Sequence, residues 1–242
     1  VYGPLLIVAG PGSGKTRVIT HRIAYLVREY GVSPYNILAM TFTNKAAKEM
    51  RERLDRLVGS RSDSLTVGTF HAFCAKLLRW DGHHMGLNSN YSIYDSDDQT
   101  TIIKQSMELA DVDPKKFAPR AVGSLISKAK SQLWDSQTFA KNADNYFEET
   151  TARVYHHYEE LLTRNNALDF DDLLMKAVYL LENLPEVQKK YQTRYQYIMV
   201  DEFQDTNIAQ YRLARLLSEG HQNICVVGDP DQSIYSWRAA DI

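Results

Sequence analysis

Short apolar runs alternate with amphipathic segments over the first 80 residues of the chain. Each run has the length of a buried strand, and the segment after it carries apolar residues at helical spacing, such as Ile19, Ile23 and Leu26. A repeated order of strand and helix predicts a parallel sheet that helices cover on both faces. The predicted strands of this part are Ile7–Ala9, Ile37–Thr41 and Leu65–Thr69.

The pattern changes between about Gly82 and Asp169, where the chain has helical periodicity and no run typical of a strand. Apolar residues in phase predict one helix at Asp95–Ala110, another after Pro119 and a long one at about Tyr146–Asn165. The segment is too rich in apolar residues to be a disordered linker. It therefore predicts a helical insertion.

The alternation of strand and helix resumes after the insertion. The predicted elements are a helix from Phe170 to Leu184, a strand at Tyr197–Val200, a helix at Asn207–Ser218 and a strand at Asn223–Val227. We therefore expect an α/β fold in which residues 1–85 and 170–242 form the domain with the parallel sheet. Residues 86–169 are expected to form an all-helical subdomain inserted into it.

Composition and charge restrict the partners of the chain as a whole. The 242 residues carry a formal net charge of −2 and have a pI of about 6.4, with an ordinary globular composition. The net charge therefore creates no strong positive or negative electrostatic field over the molecule as a whole. A nucleic acid would have to be held by a local basic surface.

Cysteine content and hydropathy indicate the compartment. Cys74 and Cys225 are too few for a disulfide framework and stand among apolar neighbours, so we expect buried free thiols. No apolar run approaches the ~20 residues of a membrane span, and no signal-peptide pattern opens the chain. We expect a cytoplasmic protein with no membrane partner. Because Val1 closely precedes the first strand and Ile242 closely follows a dense motif, we also expect a fragment.

A glycine-rich stretch, AGPGSGKT at residues 9–16, joins the first predicted strand to the first predicted helix. Glycines let the backbone wrap around a polyphosphate, while successive N–H groups and the positive helix end attract its oxygens. In such a loop Lys15 reaches the β- and γ-phosphates of ATP, and the Thr16 hydroxyl binds Mg²⁺. Ala9 departs from the strict pattern, which has glycine there, but a strand end tolerates a methyl group. The predicted nucleotide contacts are Gly10, Gly12, Ser13, Gly14, Lys15 and Thr16.

Two later strand ends carry the other side chains that nucleotide hydrolysis requires. Asp201 and Glu202 follow the strand that ends at Val200; we assign Asp201 to Mg²⁺ and Glu202 to the general base that deprotonates the attacking water. Gln232 follows the next strand, where an amide can contact both a γ-phosphate oxygen and that water. The predicted catalytic residues are therefore Lys15, Glu202 and Gln232.

Two groups of polar residues have simpler interpretations. The adjacent pairs His83–His84 and His156–His157 cannot converge on one metal within a helix, so we expect surface histidines. Asp169, Asp171 and Asp172 resemble a metal cluster, but capping of the helix that follows accounts for them better.

The segment LSEGHQ at residues 217–222 is similar to a signature of transporter ATPases. It has an extra residue and lies after the acidic pair instead of before it. We expect it to be a helix C-terminus closed by Gly220.

Four stretches, AGPGSGKT, MTFTNKAAKEM, VDEFQDTN and VGDPDQSIYSWRAAD, together resemble the UvrD/Rep/PcrA group of superfamily 1 DNA helicases. TVGTFHAF and LDFDDLL match further motifs of the group, so the resemblance runs from end to end. For Asp169, Asp171 and Asp172 of LDFDDLL it leaves open a role in supporting the DNA path beside helix capping. It implies a RecA-like motor domain, called 1A in the family, with the helical subdomain 1B inserted. The implied activity is ATP-driven movement 3′ to 5′ along single-stranded DNA, with opening of duplexes at junctions.

The resemblance also implies roles for single residues. Lys15, Thr16, Asp201, Glu202 and Gln232 match nucleotide-site residues in the roles given above. The resemblance places Arg17 near the base or ribose of the nucleotide. It implies aromatic contacts with DNA at Phe42, Tyr235 and Trp237, and Asn44 belongs to the same DNA-binding motif as Phe42. It places His71 and Arg238 between the DNA site and the nucleotide site.

The residues themselves give separate support for DNA binding. Phe42, Tyr235 and Trp237 follow strand ends, where stacking on a base is worth ~1–3 kcal/mol and tolerates any sequence; without the resemblance they would be taken as core residues. The helix after Phe42 also carries a basic face, although acidic residues interrupt it. That face consists of Lys45, Lys48, Arg51, Arg53 and Arg56.

Two other classes of function remain open at this point. One is a nucleotide-gated DNA-binding module without productive turnover, which lacks the strong stimulation of ATPase activity by single-stranded DNA that a motor shows. The other is a nucleotide kinase, which leaves QSIYSWRAAD unexplained. The family's second motor domain is expected beyond Ile242 and its adenine-binding glutamine motif before Val1. We expect the fragment to be monomeric, and the resemblance leaves DNA repair, replication restart and plasmid replication open as the process served.

Overall fold

The structure is a computed structural model, and it describes residues 2–10, 12–229 and 231. Within these residues the chain forms seven strands and ten helices, joined in places by short 3₁₀ turns. The strands are β1 (Leu5–Val8), β2 (Ile37–Thr41), β3 (Thr66–Thr69), β4 (Ser92–Ile93), β5 (Ala167–Leu168), β6 (Tyr197–Val200) and β7 (Ile224–Gly228). The helices are α1 (Lys15–Arg28), α2 (Asn44–Val58), α3 (Phe70–Asp81), α4 (Ser96–Leu109), α5 (Pro119–Ser131), α6 (Ser136–Lys141), α7 (Tyr146–Arg164), α8 (Phe170–Asn183), α9 (Pro185–Arg194) and α10 (Ile208–Ser218).

Five strands form one parallel sheet in the order β1-β7-β6-β2-β3. Every residue of β2 and β6 is buried, as expected for central strands that helices cover on both faces. The predicted α/β class with a parallel sheet is confirmed. Its consequence for function is that the carboxyl ends of all five strands lie along one edge.

Apolar residues of α1, α2 and the sheet form the core on one face. Ile19, Ile23 and Leu26 of α1 are fully buried against this sheet face, and Met50 and Leu54 of α2 join them. Burying one such side chain contributes ~1.5–3 kcal/mol, so this cluster fixes the start of α1 relative to the strand ends.

The division of the chain differs from the predicted bounds. One compact unit contains Val1–Cys74 and Val178–Ile242, with the five-stranded sheet, and the other contains Ala75–Ala177. The limits of the units fall inside α3 and α8. The division into functional domains at residues 85/86 and 169/170 stays a prediction.

The second unit is helical but not wholly so. Its core is made by α4, α5, α6 and α7, with Tyr155 and Tyr158 fully buried among aliphatic side chains. The expectation of no strand is wrong, because Ser92–Ile93 and Ala167–Leu168 pair in parallel as β4 and β5. Two-residue strands are too short to give a readable period in sequence.

The expectation of buried free thiols is confirmed. Cys74 and Cys225 are buried free thiols, and burial raises the pKa of both. No helix of the described part has the length and apolar content needed to cross a membrane.

Candidate nucleotide site

The residues that line the site follow the carboxyl ends of different strands of the sheet. The loop of residues 9–14 follows β1, Asp201 follows β6 and Asp229 follows β7. Phe42 follows β2, and His71 lies in the first turn of α3 after β3. Ligands of open parallel sheets bind at this edge.

The loop after β1 leads into α1 with an uncovered helix end. Gly14 is the residue before the helix and has φ +87°, a left-handed conformation that glycine adopts without strain. No side chain caps the first turn of α1, so its N–H groups are directed toward the loop. Ser13 closes the loop by donating from its backbone N–H and its hydroxyl to the carbonyl of Gly10. This arrangement suits an anion such as a phosphate group.

Lys15 and Thr16 begin α1 and contact the ends of two other strands. The Lys15 side chain is buried, and its Nζ lies 3.6 Å from Asp229 Oδ2. The Thr16 hydroxyl donates to Asp201 Oδ2 at 2.8 Å, across 185 positions of sequence. The fold therefore brings together the cation, hydroxyl and carboxylate that the motifs predicted.

Asp201 is 2% exposed, and its environment favours a cation beside it. Burial raises the pKa of Asp201, as does the charge of Glu202, while the hydrogen bond from Thr16 opposes the rise. A hydroxyl and a carboxylate are oxygen ligands of the kind that Mg²⁺ binds together with phosphate oxygens and waters. Among the residues described, no cluster of three or more His, Cys, Asp or Glu side chains could hold a metal. Thr16 and Asp201 thus fit a metal held partly by its nucleotide.

Glu202 has an unusual backbone conformation. Its φ of +51° is left-handed, which costs about 1–3 kcal/mol in a residue other than glycine and is concentrated at functional sites. Its backbone N–H donates to Asp201 Oδ1 at 3.1 Å. The sharp turn separates the two carboxylates, so that Asp201 is buried while Glu202 is half-buried.

Gln204 is a site residue that the sequence reasoning did not single out. Its side chain bonds to Glu202 and to the backbone of Asp229, although it was read only as part of the stretch VDEFQDTN. The signal available in sequence was a neutral amide two positions beyond the predicted base.

The predicted DNA contacts that the structure describes lie along the same edge. Phe42 is half-buried and its ring packs edge-on against that of buried Phe70, with centroids 5.9 Å apart. Asn44 is exposed in the first turn of α2, and His71 is half-buried. Phe42 is thus partly in the protein core. This agrees in part with the interpretation of Phe42 as a core residue, which its sequence alone favoured.

The basic residues of α2 are all exposed, but two of them are engaged within the protein. Arg51 donates to the carbonyl of Val67 at 2.6 Å, and Arg53 lies 3.8 Å from Glu49. Lys45 and Lys48 stand closest in sequence to Phe42. Arg17, predicted near the base or ribose, is exposed in the first turn of α1.

Part of the predicted site lies outside the described residues. This applies to Gln232, Tyr235, Trp237 and Arg238. Their assignments stay predictions.

The aspartates near residue 170 form an ion-pair network instead of a metal site. Lys130 Nζ lies 2.8 Å from Asp169 Oδ2 and 2.9 Å from Asp172 Oδ1, with its side chain fully buried. The Tyr158 hydroxyl donates to the same Asp169 oxygen at 2.7 Å. The capping interpretation is also confirmed, because the N–H of Asp172 donates to Asp169 Oδ1 at 2.7 Å.

The charges of this network shift its pKa values in opposite directions. Burial disfavours the charged form of both Asp169 and Lys130. The charge of Lys130 nevertheless lowers the pKa of Asp169, and the charges of Asp169 and Asp172 raise the pKa of Lys130. Burial and the charge of Asp169 raise the pKa of Asp171 to about 6, against a hydrogen bond from Ser127.

The histidine pairs and the 217–222 segment have structural roles. His156 and His157 lie 3.5 and 3.0 Å from Glu160, and His83 and His84 are exposed. The segment is a helix C-terminus, as expected: α10 ends at Ser218 and Gly220 lies in the turn that follows, while the residue with positive φ is Gln222, at +58°. A Cβ at Gly220 would lie 2.5 Å from Gln192 Oε1, so a larger residue there would require the Gln192 side chain to move.

Comparisons with known proteins agree with this geometry. The family model described as UvrD/REP helicase N-terminal domain matches residues 1–242. The chain is 52% identical over 240 residues to the ATP-dependent DNA helicase PcrA of Bacillus subtilis and to that of Staphylococcus aureus. These matches cover 99% of this chain but only 32% and 33% of the two relatives. The chain therefore spans about a third of the length of the curated relatives it matches.

Proposed function

Because the chain belongs to the UvrD/REP helicase N-terminal domain family, we propose that it is the ATP-binding part of a DNA helicase that moves 3′ to 5′ along single-stranded DNA. The observation that carries the proposal is the meeting of Thr16 Oγ1 and Asp201 Oδ2 at 2.8 Å beside Lys15. A phosphate loop and an acidic strand end in contact are what an ATP-hydrolysing motor requires.

The nucleotide is ATP, with its phosphates at residues 10–16 and its base or ribose near Arg17. Backbone N–H groups at the start of α1 and the ammonium of Lys15 bind the phosphate oxygens. Mg²⁺, when bound, neutralises developing charge on the phosphates, and Thr16 and Asp201 are the residues that hold it.

Hydrolysis depends on a group that accepts a proton from the attacking water. Glu202 is that base: it is half-buried at the strand end next to Asp201, within reach of water from the open side. Gln232 contacts the γ-phosphate and the water, and so distinguishes the triphosphate from the diphosphate.

Single-stranded DNA and its junctions with duplex are the proposed substrates. Phe42 stacks on a base with its free face, together with Tyr235 and Trp237, while Asn44 and His71 contact the strand nearby. Stacking reads no sequence, so we expect little base preference. The further proposed partner is a second motor domain of the same polypeptide, with the protein monomeric and located in the cytoplasm.

The test is the rate of ATP hydrolysis by the full-length gene product, measured with and without single-stranded oligo(dT). A motor should be stimulated strongly by the DNA. Glu202→Gln should lose turnover by ~10²–10⁴-fold while it still binds ATP, because only proton transfer is removed. ATP-dependent DNA binding without stimulated turnover in the wild type would instead favour the nucleotide-gated binding module.

A further inference from the structure

Gln204 lies in the turn after β6, two positions beyond Glu202, and is 4% exposed. Its amide nitrogen Nε2 donates to Glu202 Oε2 at 2.8 Å and also lies 3.4 Å from Asp205 Oδ2. Its amide oxygen Oε1 accepts from the backbone N–H of Asp229, after β7, at 3.0 Å. One side chain thus joins the predicted base to the neighbouring strand end.

The two bonds determine the orientation of the amide. A backbone N–H only donates and an ionised carboxylate only accepts, so Oε1 must face Asp229 and Nε2 must face Glu202. The reversed amide would place two acceptors against each other at Glu202. No other side chain of this length that is uncharged at neutral pH offers both a donor and an acceptor in this way.

The backbone of β7 leaves space for this amide. A Cβ at Gly228 would lie 2.9 Å from Gln204 Oε1 and 3.2 Å from the Gln204 backbone nitrogen. Both contacts are tighter than van der Waals distance, so a larger residue at Gly228 would displace the amide.

We propose that Gln204 is a positioning residue for ATP hydrolysis, holding the Glu202 carboxylate in one orientation against the end of β7. The inference rests on the proposed function, in which Glu202 is the base. Glu202 itself has a left-handed backbone and is half-buried, and a glutamate side chain has several staggered rotamers. The bond from the amide favours one of them.

The charges near this carboxylate make an amide there more suitable than an acid. Asp201 and Asp205 lie on the same turn, while Lys15 lies beside Asp229. An ionised carboxylate in place of the amide would repel the Glu202 carboxylate and could not donate a hydrogen bond to it.

The experiment compares Gln204→Glu with Gln210→Glu in the full-length gene product, with ATPase activity measured at saturating single-stranded DNA. Both glutamines are buried, at 4% and 5% exposure, and both variants add one negative charge. Gln210 caps α10 through its oxygen, which accepts from the N–H of Asn207, so glutamate preserves that bond. Gln204 uses its nitrogen toward Glu202, so glutamate removes that bond.

We expect Gln204→Glu to lower kcat by roughly 10–100-fold, the range typical of partners that orient a reacting group, with KM for ATP nearly unchanged. Gln210→Glu should behave like the wild type. Gly228→Ala, which leaves Gln204 in place but displaces its amide, should also lower kcat with little change in KM.

The outcomes separate the two proposals. A wild-type protein without ATPase activity would overturn the proposed function and this inference with it. An active wild type, with kcat unchanged in both Gln204→Glu and Gly228→Ala, would overturn the inference alone. If Gln204→Glu fails to fold, the kcat of Gly228→Ala alone tests the inference.

Discussion

A buried lysine illustrates how single residues hold the helical unit together. Lys130 lies on α5, and its ammonium contacts two carboxylates at the start of α8. Its ammonium also lies 4.8 Å from the ring centroid of Tyr158 on α7. One charge therefore joins three helices of this unit. Removing one partner of a buried pair leaves uncompensated charge, which is more costly than the pair is favourable.

Lys130→Met is therefore expected to destabilise the protein by about 3–5 kcal/mol, because Asp169 and Asp172 would be left buried without a cation. The matched control is Lys128→Met, an exposed lysine on the same helix, whose effect should stay within about 0.5 kcal/mol. Urea unfolding of both variants measures the difference. Equal stability of the two would show that the network contributes nothing.

Residues of this kind are the least predictable from sequence. Lys130 and Asp169 are 39 positions apart, and no periodic pattern relates them. Lys15, Thr16 and Asp201 were predictable because their motifs are local and each is adjacent to a strand. Gln204 was missed for a different reason, since its role depends on Asp229, which only the pairing of β6 with β7 brings near.

Among the elements, the strands and the longer helices were the easiest to predict. Strand β2 was predicted from four consecutive apolar residues, and helix α2 from a clear amphipathic period. Helix α9 was missed because Val187 and Tyr191 are its only buried residues, too few to give a period. The apolar pattern therefore predicted an element more reliably when that element contributes more residues to a core.

Helix α2 and the loop before it are the element on which DNA binding is expected to depend. Phe42→Ala should weaken binding of single-stranded oligo(dT) by ~1–3 kcal/mol, the value of stacking on one base, and leave nucleotide affinity unchanged. Fluorescence titration measures the change, with Tyr35→Ala as a control at an exposed aromatic residue. Binding of DNA by both variants should weaken as the salt concentration rises, because both keep the contacts between the protein and the DNA phosphates. No loss in Phe42→Ala would place that ring in the core alone.

At the scale of the whole molecule, the chain covers about a third of its relatives and is expected to be an incomplete motor. Translocation needs two domains that close and open on each other with each nucleotide cycle. An arginine donated from a facing domain is worth ~10³–10⁵ in the rate of hydrolysis. We expect the second motor domain to supply it.

The 242 residues alone should therefore turn over ATP near background and unwind no duplex, with or without single-stranded DNA. The full-length gene product should recover both activities. Steady-state phosphate release by the two proteins, measured at equal concentration, makes the comparison. Robust DNA-stimulated turnover by the 242-residue chain would mean that the catalytic cation lies within it.

The central claim is that ATP binds at the start of α1 with its phosphates on Lys15. Calorimetric titration of the 242-residue chain with Mg²⁺–ADP tests it most directly, with Lys15→Ala compared against Lys48→Ala, which removes an exposed lysine of α2. The wild type and Lys48→Ala should bind the nucleotide alike. Lys15→Ala should show no detectable binding, because it removes the cation of the loop. An affinity unchanged by Lys15→Ala would contradict the claim.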